Sequence, residues 1–215
     1  MVGDGLLRIE YGLARQLWAN PDEDQLDVWD VALETGSFIA DLDDDEDGAV
    51  WTAVARATLF GMDPERQALL GQLPFDVADA HSADAAYYYE HVFDAGGQLL
   101  PDAAEQFEWQ QGRALILHDV RVAEEHRRQG FASLLAADAI LTLAPHGTAV
   151  FAHPGPTDRN PDEDDDIWQL RHQARNTRFL AHLGFVPFQH QLWTLDLSAG
   201  DAAQTLAYLR RTVRP

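Results

Sequence analysis

The sequence predicts an α/β layered fold, an amino-terminal antiparallel meander followed by β-α-β-α-β. Three observations lead there. Three early segments are rich in β-branched and aromatic residues, and two of them flank a polar tract as a meander would. From Arg113 onward, extended and helical patterns alternate. The chain has 215 residues, 46% of them hydrophobic, enough for one full core, with no internal repeat and no long flexible linker.

Taken in order, the strands of the meander are "LLRIEYGLARQLW", "LDVWDVALETGSFIADL" and "AVWTAVARATLFGM". "DPERQALLGQL" opens on an Asp cap and a Pro and reads as a helix. "DVADAHSADAAYYYEHVF" reads as a second, continuous helix, and "PDAAEQFEWQQG" as a connection with a helical turn. Then come strand "RALILHDVRV", helix "GFASLLAADAILTLA", strand "TAVFAHPG", acidic loop "PTDRNPDEDDD", helix "IWQLRHQARNTRFLAHLG" and strand "FQHQLWTLDLS". A short helix in "AGDAAQTLAYLRRTVRP" closes the chain.

Composition removes several function classes. There is no cysteine, which excludes disulfides, thiolate metal sites and cysteine nucleophiles. The amino terminus has no basic region leading into an apolar stretch, and no run of about 20 apolar residues exists, so neither secretion nor a membrane span is expected. A cytoplasmic location follows as the expectation. Acidic residues outnumber basic ones 36 to 15, for a formal charge of −21, and on that balance nucleic acid is not expected as a partner.

Against that charge, "EEHRRQGFASLL" stands out. A strand ends, a polar turn follows, and Arg127, Arg128, Gln129, Gly130, Phe131, Ala132 and Ser133 lead into a helix. The first turn of a helix leaves N–H groups unpaired and carries about half a positive charge. Gly130 allows close backbone approach, Ala132 keeps the wall small, and the arginines add charge-assisted donors. Such a helix start is a seat for a diphosphate. Surface charges are screened over about 8 Å at physiological salt, so the acidic remainder weakens the seat without abolishing it.

"V-x-x-x-x-R-x-x-G-x-A", Val122 to Ala132, resembles motif A of the GNAT-type N-acetyltransferases. "RFLAHLGFVPF", Arg178 to Phe188, resembles the closing motif of that family, one strand further on. The resemblance implies a GNAT-like mixed central sheet flanked by helices. It implies acetyl-CoA as co-substrate, with backbone contacts near Val120, Arg121 and Val122 and a phosphate cradle from Arg127 to Ser133. Residues 1–110 would form the acceptor half, 111–198 the acetyl-CoA half and 199–215 a tail, all in one domain. The acceptor would be the primary amine of a small molecule or peptide, cationic in one version, attacked directly. A homodimer through the last strands is also compatible. The alternative is a non-catalytic acyl-CoA-binding or partner-binding module.

The chain departs from the family pattern at the usual tyrosine, here Leu180, and at the usual asparagine, here Gln173 with Asn176 one turn on. Asp138 falls in the apolar stripe of the motif A helix. Two candidate bases, His118 and Asp119, occupy the carboxyl half of the preceding strand, where alternation predicts opposite faces. Pairing with Arg121 and a satisfied core histidine are their structural alternatives. Tyr87, Tyr88 and Tyr89 offer a hydroxyl from elsewhere or simply a core face. His153 has no partner spacing that suggests a metal. Asp43, Asp45, Asp47 and Gly48 follow the order of a calcium loop, but Val54 stands where its twelfth ligand belongs, so a solvated hairpin tip is expected. "NPDEDDD" reads as helix-start acidity or as an attractant for a cationic acceptor.

Overall fold

The structure is a computed structural model and describes residues 6–14, 26–38, 49–107, 112–144, 148–155, 165–198 and 200–212. Several expectations fall wholly or partly outside the described residues: the calcium-like tract, the acidic loop before the last helix of the alternating unit, the ends of the first two expected strands at 15–18 and 39–42, residues 108–111 of the connection and the last three residues of the closing segment.

Seven strands form one sheet in the order β1-β2-β3-β4-β5-β7-β6. β1 (Leu6–Ala14), β2 (Asp27–Phe38) and β3 (Ala49–Met62) are the antiparallel meander, and β3 continues antiparallel onto β4 (Arg113–Val122). β5 (Thr148–Ala152) runs parallel to β4. Between them, α5 (Phe131–Leu143) makes the crossover that a parallel pair requires. This is the mixed sheet flanked by helices, with the meander first, that the sequence predicts.

Each face of the sheet has its own core. On one, Leu33, Leu59, Leu115, Leu117 and Val150 pack against Leu135 and Ile140 of α5, Leu180 and Leu183 of α6 (Asp165–Leu183), and Leu206 of α7 (Gly200–Thr212). On the other, Phe60, Ile116 and Phe151 meet Ala78 of α2 (Pro74–His81), Tyr88, Tyr89 and Val92 of α3 (Ala83–Val92), and Ala103 of α4 (Pro101–Ala104). α1 (Pro64–Leu69) precedes them, capped by the Asp63 carboxylate, which accepts from Arg66 N at 3.1 Å.

Three elements differ from the sequence expectation. The continuous helix through Ser82 is two helices, because the Ser82 hydroxyl accepts from Ala85 N at 3.1 Å and starts a new one. The final strand is a hairpin, β6 (Val186–Pro187) and β7 (Trp193–Leu195), reversed by His190 and Gln191, both with left-handed φ. The closing helix is integral rather than a tail. Leu206 and Leu209 of α7 are buried, and Arg210 pairs with Asp138 of α5. The Tyr11 hydroxyl of β1 donates to the other oxygen of Asp138. That clamp explains a carboxylate in the apolar stripe. Buried, it holds β1, α5 and α7 together.

Candidate functional site

The site begins where two parallel strands stop touching. β4 and β5 pair from Arg113↔Thr148 to Leu117↔Ala152, after which β4 runs on to Val122 paired with β3 but no longer with β5. Ala123 N donates to Val54 O of β3 at 2.9 Å, so by alternation Val120 and Val122 turn their N–H and C=O groups to the open side. Arg121 turns its backbone groups toward β3. The Val122 carbonyl accepts from Arg127 Nε at 3.3 Å, which folds the first cradle arginine back onto the strand end.

Beyond Val122, a 3-10 turn (Glu124–His126) leads to the cradle. Arg128 has φ 65°, a left-handed conformation that costs a non-glycine residue about 1 kcal/mol. Gly130 has φ 86° at the amino cap of α5, where a Cβ would be strained. No backbone acceptor takes up the N–H groups of Arg128 through Ser133. Arg127, Arg128, Gln129 and Gly130 are exposed, whereas the Phe131 side chain is buried in the core and Ser133 is nearly so. The side chain of Phe131 therefore anchors the helix start, and only its N–H is free for a ligand. Val120 and Val122 likewise send their side chains into the core and keep backbone groups for the cleft.

At the other end of the opening, Leu117, His118, Asp119, Val120, His153, Gly155, Asn176, Phe179 and Leu180 line a narrow cleft. The expectation that His118 and Asp119 face opposite ways is overturned by a β-bulge. Thr58 pairs with Asp119 and Leu59 with Leu117, so His118 is an extra residue and the alternation slips by one. Accordingly Leu115 and Leu117 share a face with Val120 and Val122, and both candidate bases line the same cleft. Asp119 Oδ2 is 2.5 Å from Arg121 Nε, the pairing the sequence suggested, while its Oδ1 is buried without a partner. His118 stacks on Phe60 at 4.6 Å and has Nε2 3.8 Å from Asp84; its Nδ1 is also buried without a partner. Each orphaned atom forfeits a hydrogen bond that water or a ligand would restore.

A second cleft, of about 370 Å³, adjoins the first through His118, His153 and Gly155 and is completed by Asp84, Tyr87, Tyr88 and Gln191. The tyrosine run divides. Tyr88 and Tyr89 are buried in the core, and burial raises both hydroxyls, Tyr89 to about 12. Tyr87 lines the cleft and donates to His190 O at 2.5 Å. Tyr88, though a core residue, reaches the same cleft beside His118.

The lip of β5 was not legible as a site in the sequence. His153 Nδ1 accepts from Gly155 N at 2.9 Å, and Asn176 of α6 donates to Pro154 O at 3.3 Å and to Gly155 O at 2.8 Å. Leu180, at the usual tyrosine position, is core and brings no hydroxyl to the cleft. Gln173 donates to Gln191 Oε1 at 3.4 Å. Among the described residues, no group of three His, Asp or Glu is placed to hold a metal ion, and no helix is long and apolar enough to cross a membrane.

No family model and no curated protein matches the chain. The chain is similar to two solved structures. The KacTA–DNA complex is 10% identical, covering 94% of this chain and 98% of that one with a TM-score of 0.41. AtaTR bound with AcCoA is 12% identical, covering 94% and 97% with a TM-score of 0.38. The first of these is a complex with DNA, which conflicts with the expectation of no nucleic acid and with the emphasis on a small-molecule acceptor. The physical reason is that a net charge sums the whole surface, whereas phosphate contacts are made by local arginines within a screening length.

Proposed function

We propose that the chain is an acyl-CoA-dependent N-acetyltransferase of the GNAT type. The observation that carries this reading is the parting of β4 and β5 after Leu117 and Ala152, with a cradle of unpaired N–H groups at one end and two orphaned buried polar atoms at the other. Acetyl-CoA would lay its pantetheine arm along Val120 to Val122 and its diphosphate on Arg127 to Ser133. Residues 1–110 would supply part of the acceptor side, since Asp84, Tyr87 and Tyr88 help line the adjoining cleft.

The reaction is direct attack by an amine on the thioester. The C–N bond forms, the C–S bond breaks, and one proton leaves the nitrogen. His118 lines both clefts and would stand between the two substrates, whereas Asp119 lines only the narrow one and is held by Arg121. That supports His118 as the group that takes the proton, a role contributing about 10²–10⁴-fold in such reactions. The Val120 N–H faces the opening and would stabilise the oxyanion. With no cysteine, no thiol acyl-enzyme can form. A thiol of unperturbed pKa about 8.5 leaves without full protonation, so Leu180 does not forbid the chemistry.

The test is the melting temperature with and without saturating acetyl-CoA, for the wild type, Arg127→Ala and Gly130→Asp. At about 100 times its dissociation constant the ligand adds roughly 2.7 kcal/mol, or about 5–10 °C for a domain this size. A rise in the wild type that both variants lose supports the reading, and thiol release across an amine panel then tests turnover. No rise in any of them ends it.

A further inference from the structure

Leu180 leaves the usual tyrosine position on α6 without a hydroxyl, but the β5 side of the opening holds a side chain under unusual control. His153 follows the last residue of β5 and lines both clefts. Its Nδ1 accepts from Gly155 N at 2.9 Å, and a backbone N–H can only donate. Nδ1 therefore carries no proton, and the ring proton sits on Nε2. Gly155 makes this approach possible, since a Cβ there would lie 2.5 Å from Nδ1. Asn176 fixes the segment from behind by donating to the carbonyls of Pro154 and Gly155. The order of control is Asn176 to Gly155 to His153.

Resting on the acetyltransferase reading, we propose that His153, locked as the neutral Nε2–H tautomer, is the second oxyanion donor, facing the Val120 N–H across the gap between the strands. One donor comes from each lip, so the carbonyl oxygen is held from both sides as its charge develops. Asn176 is a positioning residue, acting through Gly155. Around the ring stand Asp84 and Tyr87 of α3 and His118 of β4. Burial lowers the pKa of His153 below its ordinary value, against a smaller upward pull from Asp84, which keeps the ring neutral at pH 7.

The experiment is a long-range ¹H–¹⁵N correlation of the histidine rings at pH 7, with His153 assigned by the His153→Gln spectrum and acetyl-CoA and CoA added in turn. The expected result is an Nε2–H tautomer whose ring proton moves downfield with acetyl-CoA and not with CoA. In Asn176→Ala the ring should sample both tautomers. An Nδ1–H or doubly protonated ring, or equal responses to the two ligands, overturns the proposal. In parallel, His153→Phe should lose about fivefold in its preference for acetyl-CoA over CoA, the worth of one hydrogen bond. His153→Gln, which keeps a donor, should lose less, and equal preference in all three proteins overturns the proposal. If acetyl-CoA fails to bind the wild type, the acetyltransferase reading falls and this proposal with it. If acetyl-CoA binds but the ring is wrong, only this proposal falls.

Discussion

The two faces of the sheet are built to different plans. On the cradle face lie three long helices, α5, α6 and α7, of 13, 19 and 13 residues. On the other face the helices α1 to α4 run only 6, 8, 10 and 4 residues, joined by tight turns. The cradle offers mostly backbone groups, the unpaired N–H groups before α5 and the open edge of β4. The second cleft offers side chains, among them Asp84, Tyr87, His118 and Gln191. Backbone groups on long, packed elements suit a ligand part that never varies. Side chains on short elements can change without disturbing the sheet.

The comparison can be broken most forcefully at Gly130. Gly130→Asp puts a strained residue and a carboxylate into the cradle and should abolish the acetyl-CoA-dependent rise in melting temperature. Tyr87→Phe, on the other face, should keep that rise in full. Loss in both would mean that the faces do not divide the work.

The next largest effect lies in the clamp. Arg210→Ala leaves the buried Asp138 carboxylate without its cation and should cost about 3 kcal/mol in denaturant unfolding. Asp138→Asn, which removes the charge that needs compensating, should cost less. If the two cost the same, the clamp works by shape and not by charge.

Smaller again is Ser82→Ala, which removes the cap that separates α2 from α3 and should cost about 1 kcal/mol. The smallest effect is in the pH dependence. Burial lowers the pKa of His81 and His153, so the native state favours their neutral forms. Their stabilising contribution is full above the unfolded value of about 6.5 and is lost as the pH falls from there through the lowered folded values. His153→Gln should flatten the fall in melting temperature between pH 7 and pH 5. An unchanged slope would show that His153 is not held neutral.

These outcomes bear on features that the sequence discloses to very different degrees. The meander, β4, the turn into α5, α5 itself and β5 are legible because each depends on local chemistry, such as β-branched runs, a Gly before an apolar helix, or a strand–helix–strand order. The Ser82 break carried a signal of its own, a capping residue inside an Ala-rich stretch. The turn through His190 and Gln191 carried little, because it lacks the Gly, Asn, Asp or Pro that mark most turns. The bulge at His118 belongs to a pair of strands and cannot be read from one of them. Asp138 looked like a fault in the helix because its partners, Tyr11 and Arg210, lie far away on either side in sequence. His153 was missed for a related reason. Its hydrogen bonding in the structure comes from a backbone N–H, itself held by a distant amide, and neither leaves a pattern.

The clamp on Asp138 also has a meaning for how the chain is made. Arg210 leaves the ribosome well after α5 has emerged, so during synthesis the helix that carries the cradle holds a carboxylate whose counter-ion does not yet exist. Domains take shape as their parts are delivered. Here α5 cannot settle into its final environment until α7 arrives to cover it. A nascent chain halted before Arg210 would then present the α5 sequence without the packing that completes it.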